Sequence, residues 1–123
     1  MEITKFDNFA ICSDTVEASH GDFTVIVLLD RDPDITPDHA DCYCDKTRQR
    51  WRDDKWFFGL LRAKVSVDVA GQTVVLDDCA ASLGGVEVNI TDTNSHLDEY
   101  AAKLAQEALT RGIQLVQAIK AAA

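Results

Sequence analysis

Within six positions of one another, His39, Cys42 and Cys44 place an imidazole and two thiols in the stretch "DHADCYCDKTRQRW". Such groups bind soft metal ions or carry redox chemistry. Zinc centres use ligand pairs two to four residues apart and close on a second pair, because four ligands must converge on a tetrahedron. Here the two cysteines are separated by one residue, and Cys12, Cys79, His20 and His96 are scattered singly. A dithiol redox centre opens a helix with two intervening residues, a spacing this pair lacks. The stretch is therefore expected to be a loop running into a helix, with no metal or other cofactor.

The carboxylates just before it raise a second chemistry. Asp30, Asp32, Asp34, Thr36, Asp38 and Asp41 occupy offsets 1, 3, 5, 7, 9 and 12 of a calcium loop. The pattern fails where calcium geometry is strict. Ile35 stands where a glycine must turn, Pro33 and Pro37 stiffen the backbone, and Asp41 is too short for a bidentate glutamate. Asp30, Asp32, Asp34, Asp38 and Asp41 are instead candidate contacts for a cationic partner surface.

The third candidate is cationic. Lys46, Arg48, Arg50, Arg52 and Lys55 lie beside Trp51 and Trp56, so charge and ring stacking could engage an anion. Arg48, Trp51, Arg52 and Trp56 are the candidate contacts for a small anionic, nucleotide-like ligand. On a helix these cations spread around the axis, and Asp45, Asp53 and Asp54 offset them. His20, His39 and His96 have no nucleophile in recognisable context, and acid, base and nucleophile do not converge. No catalytic residue and no enzymatic activity are expected.

The 123 residues suit one domain, 1–123, with a single core. With 12 basic against 21 acidic residues the net charge is −9, which argues against direct nucleic-acid binding. No apolar run approaches the roughly 20 residues that span a bilayer. The first residues lack a basic and apolar secretion signal, so a cytoplasmic location with reduced thiols is expected. Cys12 and Cys79 lie in strand-like surroundings and are expected to be small core residues.

These residues must be positioned by a small set of elements. Residues 15–19 and 23–30 form a hairpin turned at His20-Gly21, the second strand apolar on both sides and so central or covered twice. An acidic loop with two prolines leads to a short helix from Asp45 to about Asp53, anchored by Trp51. Trp56 to Leu61 is again apolar on both faces, and Val65, Val67 and Val69 alternate with polar residues. The chain turns at 70–72 and returns through 73–76. Asp77-Asp78 predicts a bulge and Gly84-Gly85 a break before 86–90.

Ser95 is the expected N-cap of a helix of about seven turns. Leu97, Tyr100, Leu104, Ala108, Gly112, Leu115 and Ile119 form one stripe, with Ala105, Leu109, Ile113 and Val116 beside it. Ala108 and Gly112 either approach the domain's own sheet or form a helix contact in a homodimer. The expected fold is α+β: an antiparallel sheet of four to five strands, packed by a long C-terminal helix, with a short helix between strands.

Cys42-Tyr43, Trp51-Arg52-Asp53-Asp54-Lys55-Trp56 and Ala81-Ser82-Leu83 carry a resemblance over roughly residues 23–119. They resemble a family of small uncharacterised proteins of tailed phages and prophages with a C-Y, W-R-x-D-x-W and A-S-L pattern. Family members usually place an aromatic after A-S-L, where this chain has Gly84. The resemblance implies a phage accessory protein working in the bacterial host cytoplasm. It would bind without catalysis, as a counter-defence or host-takeover factor that blocks or sequesters a host component. Within that reading the mechanism would be an acidic decoy or a small-molecule sponge; the alternatives are such a sponge at a dimer seam, or a structural or regulatory phage protein without a host target.

Overall fold

In the computed structural model, residues 1–6, 14–39, 41–91 and 93–123 are described, His39 by its backbone alone. Cys12 and the His39 side chain, both singled out from the sequence, lie outside that description. The elements are β1 (Asp14–His20), β2 (Phe23–Arg31), α1 (Asp45–Arg52), β3 (Phe57–Val69), β4 (Gln72–Val88) and α2 (Ser95–Ala122). Four strands form one antiparallel sheet in the order β1-β2-β3-β4, and α2 packs across one face. This is the expected α+β fold, with four strands. No helix among the described residues is long and apolar enough to cross a membrane.

Local chemistry explains the meander. Ala70 and Gly71 both have positive φ, 51° and 79°, the geometry of a two-residue hairpin turn whose twist matches the flanking strands. Period-two alternation sends Val16 and Ala18, then Val25, Val27 and Leu29, then Leu61, Ala63 and Val65 to the helix side, each at most 3% exposed. Leu97, Ala101, Ala105, Ala108 and Leu109 of α2 close over them. Each fully buried aliphatic side chain contributes about 1.5–3 kcal/mol, so this seam dominates the stability.

Ala108 and Gly112 belong to that seam and not to a helix contact between copies. Ala108 is 0% exposed, and a Cβ built on Gly112 would lie 2.6 Å from Val65 Cγ2. Glycine is there so that α2 can approach its own sheet. Beyond Gly112 the stripe leaves the core, and Ile119 is 60% exposed.

Gly84-Gly85 does not break the chain. β4 runs on through it for 17 residues against the 13 of β3. The four extra residues are absorbed at three irregularities in register: Phe57 pairs with Val88, but Val69 pairs with Gln72. One lies at Asp77-Asp78, as the broken alternation predicts. Another sets Leu60 against Gly84 and Gly85, the latter at φ 68°. Bulges of this kind bend the free edge of β4 and spoil it as a template for further strands. They also bring Cys79 to the surface, correcting its expected place in the core.

At the start of α2, Asn94 occupies the cap and Ser95 is the first helical residue. Asn94, 1% exposed, uses its side chain on Asn89 instead. Its Oδ1 accepts the Asn89 N–H at 2.8 Å, and its Nδ2 donates to Asn89 Oδ1 at 2.8 Å. Asp98, in the first turn of α2, accepts the Phe6 N–H at 2.9 Å and ties the N-terminal segment to the helix.

Candidate functional site

The acidic connection between β2 and α1 is held from beneath at alternating points. The Asp32 N–H donates to the Phe58 carbonyl at 2.8 Å, extending the β2–β3 pairing by one step. Asp32 Oδ1 accepts the Asp34 N–H at 3.1 Å, a side-chain turn that aspartate forms readily. Ile35 is half-buried near Gly85, and Pro37, opening a single 3₁₀ turn (Pro37–His39), is fully buried. Asp38 then pairs with Arg52 at 3.0 Å.

Tyr43 closes the anchoring. Its ring lies 5.4 Å from Trp56 and 6.0 Å from Phe58, and those two rings meet edge-on at 5.0 Å. Burial and then the hydrogen bond to the Glu87 carboxylate hold the phenol well above its ordinary pKa. With Tyr43 turned inward, Cys42 and Cys44 on either side are both exposed.

The carboxylates take the opposite side. Residues 30–45 contain six aspartates and one arginine, −5 of the chain's −9. Asp30, Asp34, Asp38, Asp41 and Asp45 are exposed and Asp32 is half-exposed. Among the described residues only Asp38 of these six enters an ion pair, while Arg31 turns away to Asp54 at 3.3 Å and lies over the Phe57 ring. The five acidic residues singled out from the sequence are therefore brought to one end of the molecule. No group of three or more metal-binding side chains forms among the described residues.

The cationic candidates are placed differently. Trp56 is 1% exposed, and its indole N–H donates to the Thr47 carbonyl at 2.9 Å, so it offers no ring face to a ligand. This corrects its expected role: the apolar collapse around Tyr43 and Phe58 takes the ring first. Arg50 donates to the Ile90 carbonyl at 3.0 Å and Arg52 is engaged by Asp38. Arg48 and Trp51 are half-buried on α1. Arg50 and Arg52 thereby fasten α1 to the sheet end and to the acidic connection.

Cys44 occupies the N-cap of α1, its Sγ 3.3 Å from Thr47 Oγ1. The Thr47 hydroxyl, followed by backbone N–H groups of the first turn, holds this thiol below its ordinary range. Its neighbour Cys42 is exposed as well, so α1 opens with a surface thiol pair.

On the sheet face opposite α2, Tyr43 and Trp56 cover Phe58 at one end, and the rest of that face is open among the described residues. Thr15, Glu17 and Ser19 of β1, Ile26 and Leu28 of β2, and Leu60, Arg62 and Lys64 of β3 project there, and no described helix covers them. The double-sided apolar pattern of β2 was expected to make it central or covered on both faces; it is central, paired with β1 and β3, and on this face Ile26 and Leu28 are half-exposed. Arg62 is tied to Asp78 at 3.0 Å.

Ile35, Pro37, Tyr43 and Glu87 anchor this connection, and residue chemistry alone passed them over. One signal was available for Tyr43: an aromatic between two small residues on an extended segment alternates inward by period two. Comparison of the chain with family models, with curated proteins and with solved structures gives no match.

Proposed function

We propose that the protein acts by non-enzymatic binding, as a phage accessory protein that blocks or sequesters a host component in the bacterial cytoplasm. The 30–45 connection is the working surface and a basic patch on a host protein is its target. One observation carries this: five of its six aspartates make no ion pair among the described residues, while Ile35, Pro37 and Tyr43 hold the backbone down. Charges presented on an anchored backbone lose little conformational entropy when they meet a partner, and they steer encounter from a distance. The small-ligand alternative is weaker, since Trp56 is buried and Arg50 and Arg52 are already bonded.

Affinity capture with the full chain from phage-infected cells, read by mass spectrometry, tests this. A specific host protein should be retained and released as salt rises, because exposed charge pairs are screened within about 10 Å at 0.1 M. The Asp30→Asn, Asp34→Asn, Asp41→Asn triple variant should lose it by tenfold or more. A captured protein indifferent to both salt and the triple variant would contradict the assignment. So would a nucleotide-like molecule released on denaturation and lost in Arg48→Ala.

A further inference from the structure

We propose that the open face of the sheet is a self-association surface, pairing with a second copy of this chain about a two-fold axis that runs along β2. The cross-strand register carries this. Glu17 of β1, Ile26 of β2 and Lys64 of β3 form a single row across the sheet, an acid and a base on either side of an apolar centre. Strands lie about 4.8 Å apart, so the backbones of Glu17 and Lys64, two strands apart, are separated by about 9.6 Å across Ile26. Neither side chain is in an ion pair among the described residues.

Rotation by 180° about an axis over β2 and parallel to it sets β1 of one copy above β3 of the other. Glu17 then meets the second copy's Lys64, Lys64 meets its Glu17, and Ile26 packs on Ile26. The neighbouring rows are compatible. Thr15, Leu28 and Arg62 form one, and Ser19, Thr24 and Ser66 the other. Asp30, at the end of β2, and Asp22, in the turn before it, are like charges near the axis. Aligned sheets cross at about 30°, which carries the two Asp30 residues apart. Because the axis passes over β2, β4 and the connection beside it fall outside the overlap of three strands.

A row with one acid and one base about its centre is self-complementary only under this operation, which selects a second copy over an unrelated partner. It also accounts for Ile26 and Leu28 on a face that no described helix covers. Three strands, with β1 seven residues long, overlap across roughly 14 by 23 Å. That places the pair at the weak, concentration-dependent end of specific interfaces.

Sedimentation velocity on the full chain, from about 5 μM to about 1 mM with folding checked by circular dichroism, decides it. The wild-type sedimentation coefficient should rise toward that of a dimer across the range. Lys64→Glu alone and Glu17→Lys alone should each weaken association by about tenfold or more, since every contact becomes a like-charge pair. An equal mixture of the two variants should associate as the wild type does, because each acid again faces a base. Ile119→Asp, on the exposed end of α2, should change nothing. A wild-type chain that stays monomeric throughout overturns the proposal, as does a mixture that fails to associate. Loss of association in Ile119→Asp also overturns it, moving the contact to the helix.

Discussion

Replacing Gly112 by alanine sets two effects of known size against each other. In the middle of a helix alanine is favoured over glycine by about 1 kcal/mol, so propensity alone makes Gly112→Ala stabilising. The new methyl would sit 2.6 Å from Val65 Cγ2 and 3.4 Å from Phe23 Cδ1. Val65 is fully buried and stiff at χ1, so the ~1 Å of relief must come from moving α2 off the sheet. Overpacking of this kind costs about 1–3 kcal/mol, leaving a net loss of about 1 kcal/mol. For a chain of this length that lowers Tm by about 4 °C.

The partner experiment is Val65→Ala, which alone should cost about 2–3 kcal/mol in transfer and cavity terms. In the double variant the alanine at 112 occupies part of the vacated volume. The two changes should therefore fall short of additivity by about 1–2 kcal/mol. Urea unfolding of the four proteins in a double-mutant cycle measures this directly. A Gly112→Ala protein more stable than the wild type, or strict additivity with Val65→Ala, would refute the close-approach account of this glycine.

Three further outcomes are expected. Asn94→Ala should cost about 2 kcal/mol in urea unfolding, because it removes both hydrogen bonds that the buried Asn94 side chain makes with Asn89 near the start of α2. The alkylation rate of Cys44, followed residue by residue by mass spectrometry, should show a midpoint below the ordinary thiol value. Thr47→Val should move that midpoint up and slow labelling at neutral pH, since the hydroxyl that favours the thiolate is gone. Tyr43 ionises less readily folded than unfolded, so its contribution is fully present below pH 10 and is lost as pH climbs from there toward the raised folded value. Unfolding curves between pH 9 and 11 should accordingly fall less steeply for Tyr43→Phe than for the wild type.

Much of the fold was legible along the chain because it depends on local periodicity. Period-two alternation marked β1, β2 and the second half of β3, and the 3.6-residue stripe marked α2. Asp77-Asp78 announced a bulge because two carboxylates in succession cannot both be buried. Gly84-Gly85 misled, since the flexibility that ends a strand in one setting allows a bulge to continue it in another. Its outcome was decided by pairing with Leu60, a contact 24 residues away in sequence. The exposure of Cys79 follows from the same irregular register.

The candidate site divides along the same line. Composition by itself determined that residues 30–45 would be an acidic surface, because six carboxylates in sixteen positions cannot be desolvated together. It also determined that an antiparallel sheet would bury one face under a long C-terminal helix. Only the tertiary structure decided that Trp56 and Tyr43 would turn inward while the thiols beside Tyr43 stayed in water. It alone set Glu17, Ile26 and Lys64 in one row and pressed Gly112 against Val65. Those outcomes depend on which strands become neighbours and in what register, and pairing energies between distant segments settle that where no local preference can.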